Sequence, residues 1–458
     1  MLNEGDHIHL IGIGGAGLSA IARVLHARGF HVTGSDREHS PAVDELRAHG
    51  IPVAVGHAAE NLGDADVVIR SSAIPDGNVE VAAAGEAGVP VFKRADILAG
   101  LTAGKTTIAV AGTHGKTTTT AMTAWLLSEG GLDPSYIVGG EVAGLGSNAR
   151  AGAGPHFVIE ADEYDRMFHG LQPGIAVVTN VEHDHPDLYP TEADFVEAFD
   201  GFVDRIAPDG TLVVWGDSEP TRRLAARVSG AGRTVVPYGF GPENDLRADR
   251  LEPVPGQGFA FDLVSAGATL GRIRLSVPGE HNALNASAAA AVGMAVGLPF
   301  DAVAMALGRF TGAVRRFEVL GEAGGVIVVD DYAHHPTEIR ATIAAARDRY
   351  PDRTVWVAWQ PHTYSRIGLL CGEFAASFSG ADHVVVTGVY AARESAPAGF
   401  SLSGLLAAMQ HSDARLIESL DAVAADLAAR IEPGSVLLVL SAGDANRVSA
   451  QVLRSLSS

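Results

Sequence analysis

One pattern recurs along this chain and leaves few folds open: a short unbroken apolar run, a glycine-rich or polar loop, then a stretch with helical apolar spacing. Runs this short and uniformly apolar suit strands covered on both faces, as in parallel sheets joined by helical crossovers. The first instance is complete. His9-Leu10-Ile11 is followed by Gly12-Ile13-Gly14-Gly15-Ala16-Gly17, an apolar-periodic segment from Leu18 to Leu25, and a second strand from His31 to Asp36, together a βαβ unit. Val67-Val68-Ile69 and Val89 to Phe92 extend it into a small parallel-sheet domain. Thr107 to Ala111 opens a second α/β unit, with strands expected at Phe157 to Ile159 and Ile175 to Val178. Turn signals at Pro253, Pro255, Gly256 and Gly258, among alternating apolar positions from 245 to 277, predict a β insertion before an Ala-rich helix from Asn282 to Val296. A third set runs through Val326 to Asp330, Val355 to Val357, Val384 to Val386 and Val436 to Leu440. Length agrees, since 458 residues at roughly 150 per domain predicts about three. The expected domains are 1–103, 104–312 and 313–458.

Charge narrows the partners. Acidic residues outnumber basic ones by 54 to 33, a formal charge of −21, while 47% of residues are hydrophobic and 19% charged. Such a chain is globular, and its surface repels polyanions, which argues against a general nucleic-acid coat but leaves local basic sites for small phosphates. The single cysteine, Cys371, cannot form an internal disulfide and fits a reducing compartment. The segment Met1 to Asp6 has no basic n-region, and no apolar run reaches the roughly 18 residues of a spanning helix. The expectation is a cytoplasmic protein without nucleic-acid or membrane partners. Lysine occurs only at Lys93, Lys105 and Lys116, so any chemistry that requires a lysine must use one of these.

Two loops carry phosphate chemistry. Gly12, Gly14 and Gly17 stand between strand and helix with the GxGxxG spacing, and Asp36 ends the next strand, where an acidic group can reach a ribose hydroxyl. The motif alone fits a nicotinamide dinucleotide, another nucleotide diphosphate or a structural tight turn. The string GKTT occurs twice, at 104–107 and 115–118. Gly104-Lys105 precedes its strand, so Lys105 sits at a strand entrance. Gly112-Thr113-His114-Gly115-Lys116-Thr117-Thr118 instead follows a strand and opens a helix, the context that a phosphate cradle requires, although Val110 replaces the first glycine of the usual spacing. Loop N–H groups would hold phosphate oxygens, Lys116 would neutralise the β and γ phosphates, and the Thr117 hydroxyl would ligate Mg²⁺.

Acidic and histidine strings follow at other strand ends: Glu160-Ala161-Asp162-Glu163-Tyr164-Asp165 and Asn180-Val181-Glu182-His183-Asp184-His185. Alone they read equally as solvated turns; beside a phosphate loop they are candidate metal ligands. Asn282 and Asn285 stand at a helix start, where one asparagine serves as a cap and the other is left to read a base edge. Later come Arg315-Arg316, Asp331-Tyr332-Ala333-His334-His335-Pro336 and Gln360-Pro361-His362-Thr363-Tyr364-Ser365-Arg366. The two adjacent histidines also allow a metal pair.

Taken in order, these strings resemble the Mur ligases over essentially the whole chain, most closely the alanine-adding branch of that family. The resemblance implies an α/β architecture of three domains: a Rossmann-like UDP-sugar domain, a central P-loop ATPase domain and a Rossmann-like C-terminal domain that receives the amino acid. It resolves the first glycine loop toward uridine diphosphate, with Gly12, Gly14, Gly15, Gly17, Asp36, Ser71 and Ser72 on the UDP-sugar. It further implies ATP held by Gly112 to Thr118, with Asn282 and Asn285 near adenine, Arg316 at the γ-phosphate and Asp331 at the ribose. Glu163 and His185 would join Thr117 as Mg²⁺ ligands. Tyr332, His334, His362 and Arg366 would line the amino-acid pocket, and Lys116, His334, His362 and Arg366 would be catalytic. The implied reaction joins L-alanine to the lactyl carboxylate of UDP-N-acetylmuramic acid at the expense of ATP, in a monomer or homodimer, with the third domain closing on the second. Two departures stand out. Thr363 replaces an arginine found in some members, and Tyr164 is a feature of the tripeptide-recycling branch. The later-acting ligases use a carbamylated lysine beyond the phosphate loop, and here no lysine follows Lys116.

Overall fold

The computed structural model describes residues 2–3, 5–409 and 411–457, so Met1 and Glu4 of the N-terminal segment lie outside the described residues. The chain forms two compact units, Met1–Glu182 with Ala193–Leu246 and Ala288–Ala306, and His183–Glu192 with Arg247–Ser287 and Leu307–Ser458.

In the first unit, β1 (His7–Ile11), α1 (Ala16–Ala27), β2 (His31–Asp36), α2 (Pro41–Ala48), β3 (Val53–Val55), β4 (Val67–Arg70), α3 (Val79–Ala87) and β5 (Val91–Lys93) build one sheet. Its order is β3-β2-β1-β4-β5, and all pairs are parallel. The order in which strands are added reverses between β1 and β4, the place where open parallel sheets bind ligands. The loop after β1 begins at Gly12 and that after β4 at Ser71, so both expected UDP-sugar groups flank this point. After α4 (Arg94–Thr102), the chain continues with β6 (Thr106–Ala111), α5 (Lys116–Glu129), β7 (Ser135–Ile137), β8 (Ala149–Arg150), β9 (His156–Glu160) and β10 (Ile175–Val178). Next come α6 (Glu192–Val203), β11 (Thr211–Trp215), α7 (Glu219–Gly230) and β12 (Thr234–Gly239). Within this unit the strands of the second sheet run β12-β11-β10-β6-β9-β7-β8. Central β6 has β9 and β10 as parallel neighbours, which sets the loops after all three side by side.

The second unit contains the predicted insertion as β13 (Leu246–Val254), β14 (Gly258–Ser265) and β15 (Ala268–Leu275), with β14 and β15 antiparallel. Then follow α8 (Glu280–Ala295), α9 (Phe300–Arg309), β16 (Glu318–Ala323), β17 (Val326–Asp331), α10 (Pro336–Arg349), β18 (Thr354–Trp359), α11 (Tyr364–Leu369) and α12 (Cys371–Ala375). The chain ends with β19 (His383–Val386), α13 (Leu402–Ala408), β20 (Ala414–Leu416), α14 (Leu420–Arg430), β21 (Ser435–Leu440) and α15 (Asn446–Leu456). The third sheet runs β16-β17-β21-β18-β19-β20, parallel except for β16. Its central strands are largely apolar because both of their faces are covered. Ile327, Val329, Val355, Val357 and Trp359 pack on one side with Phe374 and Phe378, while Val326, Val328, Trp356 and Ala358 pack on the other with Val448 and Val452. Each such side chain contributes about 1.5–3 kcal/mol by burial, which fixes where β17 and β18 end and hence where the polar loops begin. Among the described residues no helix is long and apolar enough to cross a membrane.

Candidate active site

At the β1–α1 turn, Gly12 has φ +81 and its N–H donates to Ser35 O at 2.8 Å. A side chain at Gly12 would press on Ser71, and one at Gly14 would lie 2.9 Å from Asp36 Oδ2. Asp36 Oδ2 accepts the Gly14 N–H at 2.8 Å and so also shapes the loop. Gly15 caps α1 without a side-chain bond, leaving that helix terminus open to an anion. Cations gather here that the motif reading missed. The Arg94 guanidinium packs on Gly17, and Lys93 Nζ donates to Asp165 Oδ2 at 3.2 Å, an oxygen that also accepts from Ser72 Oγ at 3.2 Å. Asp165 and Arg166 both adopt left-handed φ, 53° and 51°, a strained pair following the acidic string.

The phosphate loop has the expected form. Gly112 (φ +137) lies against Thr179, where no Cβ fits, and Gly115 (φ +78) caps α5. Lys116 Nζ folds back on Gly112 O at 2.6 Å, Thr113 O at 3.1 Å and Glu163 Oε1 at 2.9 Å. Burial would lower its pKa, but Glu163, Asp162 and Glu160 outweigh that and raise it. Lys116 is therefore charged at any working pH. Thr117 Oγ1 donates to Glu160 Oε1 at 3.1 Å, a carboxylate of the acidic string that the resemblance did not single out. One hydroxyl and two carboxylates at the mouth of the loop are hard oxygen donors, the set that suits Mg²⁺. Thr113 and His114 are tied to the loop after β10: Thr113 Oγ1 donates to Glu182 O at 2.8 Å, and the His114 N–H donates to Asn180 Oδ1 at 2.8 Å. Lys105 is elsewhere, donating to Gly152 O and Gly154 O at 2.5 and 2.6 Å, as its place before the strand implied.

In the second unit, Asp331, Tyr332, His334, His362, Arg366 and His185 belong together with Asn282 and Asn285. Neither asparagine caps α8, which starts at Glu280; instead Asn282 Nδ2 donates to Pro278 O at 2.7 Å and Asn285 Nδ2 to Asn282 Oδ1 at 3.1 Å. Asp331 is buried and pins two segments, its oxygens accepting from Phe317 N and Ala333 N at 2.7 Å each. Burial lifts its pKa to about 6 against the pull of Arg316. The Arg316 guanidinium lies 4.9 Å from the Tyr332 ring centre and that of Arg315 5.2 Å. The adjacent histidines do not form a metal pair. His335 caps α10, accepting from Thr337 N at 3.3 Å, while His334 Nδ1 faces Tyr332 O at 2.9 Å.

Arg366 departs most from expectation. Its Nε and Nη2 donate to Asp184 Oδ1 and Oδ2 at 2.8 and 3.1 Å, and both partners are buried. The two-pronged fork by which an arginine can grip a carboxylate is thus engaged inside the protein. Burial would raise the Asp184 pKa, yet the guanidinium holds it well below the ordinary carboxylate range. The third nitrogen, Nη1, reaches His362 Nδ1 at 3.0 Å. His185, next to Asp184, has φ 54° and donates its N–H to Asp184 Oδ1 at 2.7 Å. Thr363 stands at φ 60°, ψ 141°, a conformation rare for a β-branched residue, and its N–H donates to Tyr390 O at 3.0 Å.

Three family models match in succession: Mur ligase family, catalytic domain, over 7–106; Mur ligase middle domain over 110–293; and Mur ligase, glutamate ligase domain, over 315–443. The UDP-N-acetylmuramate–L-alanine ligase of Oleidesulfovibrio alaskensis is 44% identical over 447 residues, covering 97% of both chains. The chain belongs to the Mur ligase family. Among solved Mur ligases, the UDP-N-acetylmuramate-alanine ligase of Thermotoga maritima superposes with a TM-score of 0.83 at 30% identity, covering 98% of each chain. A murein peptide ligase from Psychrobacter arcticus gives 0.72 at 25% identity, covering 99% of each. The three-domain α/β architecture of Mur ligases is therefore this chain's own. Sequence motifs located the loops of this Mur ligase. They missed Glu160, Asp184 and Asp165, which stand in the acidic strings without a distinguishing signal, and Lys93 and Arg94, which stand at the end of a predicted strand.

Proposed function

We propose that this Mur ligase joins L-alanine to the lactyl carboxylate of UDP-N-acetylmuramic acid, with ATP converted to ADP and phosphate. The observation that carries the reading is full-length similarity to alanine-adding ligases, 44% identity over 97% of the chain, joined to a formed phosphate loop around Lys116. The better superposition on the alanine ligase, TM-score 0.83 against 0.72 for the murein peptide ligase, ranks the recycling reaction second despite Tyr164. Domain limits at 1–103, 104–312 and 313–458 belong to this proposal, as does a cytoplasmic location, where ATP and UDP-sugars are made.

A carboxylate is a poor acyl donor, so its oxygen first attacks the γ-phosphorus and ADP leaves. The amine then attacks the acyl carbon, the C–O bond to phosphate breaks, and an amide remains. Lys116 and the N–H groups of Gly112 to Thr118 hold the β and γ phosphates and meet charge as it moves between oxygens. Asn282 and Asn285 face adenine, Asp331 the ribose and Arg316 the γ-phosphate. Gly12, Gly14, Gly15, Gly17, Ser71 and Ser72 hold the UDP-sugar, with Asp36 keeping the loop in shape. Thr117, Glu163 and His185 would hold Mg²⁺, which supplies compensation for phosphate charge. Tyr332, His334 and His362 line the amino-acid pocket and Arg366 backs it.

The test is phosphate release with UDP-N-acetylmuramic acid against a panel of amino acids and the murein tripeptide. Release that depends on both ATP and L-alanine supports the reading. Faster turnover with the tripeptide would transfer it to the recycling reaction.

A further inference from the structure

Before alanine attacks, its ammonium must lose a proton, and two histidines stand in the pocket region. Their hydrogen bonds distinguish them. Arginine only donates, so the 3.0 Å contact from Arg366 Nη1 makes His362 Nδ1 an acceptor, and the neutral ring must carry its proton on Nε2. His334 is the reverse case. Its Nδ1 lies 2.9 Å from the carbonyl oxygen of Tyr332 and 3.2 Å from Glu338 Oε2, both acceptors, so Nδ1 carries the proton and Nε2 presents a lone pair. The two rings meet edge to face, with centres 5.7 Å apart.

Resting on the proposed ligase reading, we infer that His334 Nε2 takes the proton from the alanine ammonium, while His362 Nε2–H serves only as a donor. Burial keeps both rings neutral in the free site, while Glu338 and Asp184 pull His334 back up, the direction a proton acceptor needs. The proton passes from the ammonium nitrogen to His334 Nε2, and the freed electron pair forms the C–N bond at the acyl carbon. As the tetrahedral intermediate collapses, the C–O bond breaks, its electron pair leaves with phosphate, and a phosphate oxygen takes the second nitrogen proton. Glu338 is a positioning residue. Its Oε2 also accepts the backbone N–H groups of His334 and His335 at 3.0 and 3.3 Å, holding it beside Nδ1, where it stabilises the imidazolium that forms. The His362 donor is left for the alanine carboxylate or the oxyanion.

The experiment compares the full-length parent, His334→Asn, His334→Gln and His362→Gln with UDP-N-acetylmuramic acid and ATP from pH 6.5 to 9. The nucleophile is either L-alanine or hydroxylamine, whose nitrogen is already neutral near pH 7. Asn keeps a donor toward Tyr332 O but has no lone pair at the Nε2 position. His334→Asn should lose about a hundredfold or more in kcat/KM for alanine at pH 7, as expected for a lost general base. Its remaining rate should rise about tenfold per pH unit as free amine accumulates, and its loss with hydroxylamine should be at least tenfold smaller than with alanine. His334→Gln should behave alike, whereas His362→Gln should keep the parent's pH profile and raise KM. Equal losses with both nucleophiles and a flat profile in both His334 variants would overturn the inference, as would the steep profile appearing in His362→Gln. A parent without alanine-dependent phosphate release would instead remove the ligase reading beneath it.

Discussion

Glu80 on α3 is fully buried in the N-terminal sheet domain, and replacing it with glutamine tests whether an internal charge holds that domain together. Its Oε1 accepts from Ala58 N at 3.1 Å and Asn61 Nδ2 at 2.6 Å; its Oε2 accepts from Ser35 Oγ at 2.5 Å and lies 3.4 Å from His9 Nε2. Burial alone would raise the carboxyl, but these donors more than offset it and bring its pKa from 4.5 down to about 2. At roughly 1.4 kcal/mol for each pK unit, the difference corresponds to about 3 kcal/mol of stability. Because the folded value is the lower one, this stability is present above the unfolded value near 4.5 and is lost as pH falls through about 2. Glu80→Gln should therefore destabilise the domain by about 2–3 kcal/mol at neutral pH, with the difference from the parent falling to about half by pH 3 and toward zero only below about pH 2. Fluorescence is blind here, since the first tryptophan is Trp125 and the first tyrosine Tyr136. Hydrogen exchange read by mass spectrometry on β1 and β2, corrected for intrinsic rates, reports the domain directly. A difference that stays constant from pH 7 to pH 3, or one below about 0.5 kcal/mol at pH 7, would refute the charge-based account.

Lys116→Ala should lower turnover by about 10³-fold or more while UDP-sugar affinity, read by calorimetry, stays within a few-fold; Lys105→Ala should be mild, and equal losses would unseat the second GKTT string as the phosphate loop. Arg366→Lys keeps a charge on Asp184 but loses the fork and the bond to His362, so KM for alanine in steady-state kinetics should rise about tenfold, with that for the UDP-sugar little changed. Thr363→Gly removes a strained φ and should stabilise the C-terminal domain by about 1 kcal/mol, read through Trp356 and Trp359 fluorescence in urea; a loss of stability would contradict the strain. ADP affinity measured by calorimetry should fall at least tenfold when Mg²⁺ is removed, and an unchanged value would contradict the pairing of Lys116 with Glu163.

The strands of the nucleotide and amino-acid sheets were legible because burial on both faces leaves no polar residue in Val326–Val329 or Ile108–Ala111, so composition alone reveals them. Strands with an exposed face were not. β16, Glu-Val-Leu-Gly-Glu-Ala, pairs antiparallel at the sheet edge with most of its residues partly or fully exposed, and β7 and β8 are too short to show periodicity. Site loops could be found from glycines and strand ends, since Gly112 and Gly115 mark backbone that other residues cannot adopt. Partner choice could not. That Arg366 meets Asp184, 182 positions away, depends on tertiary placement that spacing does not encode.

That pairing is one case of a wider arrangement. Lys116 is held by Glu163, Arg366 by Asp184, Arg315 by Asp330 at 3.1 Å and Lys93 by Asp165, so these cations of the candidate site already have carboxylate partners. In a chain of net charge −21, this local neutrality allows basic groups to persist without collapsing onto the acidic surface elsewhere. It also alters what substrate binding must accomplish. A phosphate that takes Lys116 from Glu163 leaves a carboxylate only 1% exposed without its counter-charge, a situation that costs about 3–5 kcal/mol when a buried pair is broken. A divalent cation arriving with the nucleotide gives Glu163 a new partner and removes that penalty. On the proposed reading, nucleotide and Mg²⁺ binding would thereby be coupled through a single salt bridge, and the same exchange would keep Lys116 from holding free phosphate tightly when no nucleotide–metal complex is present.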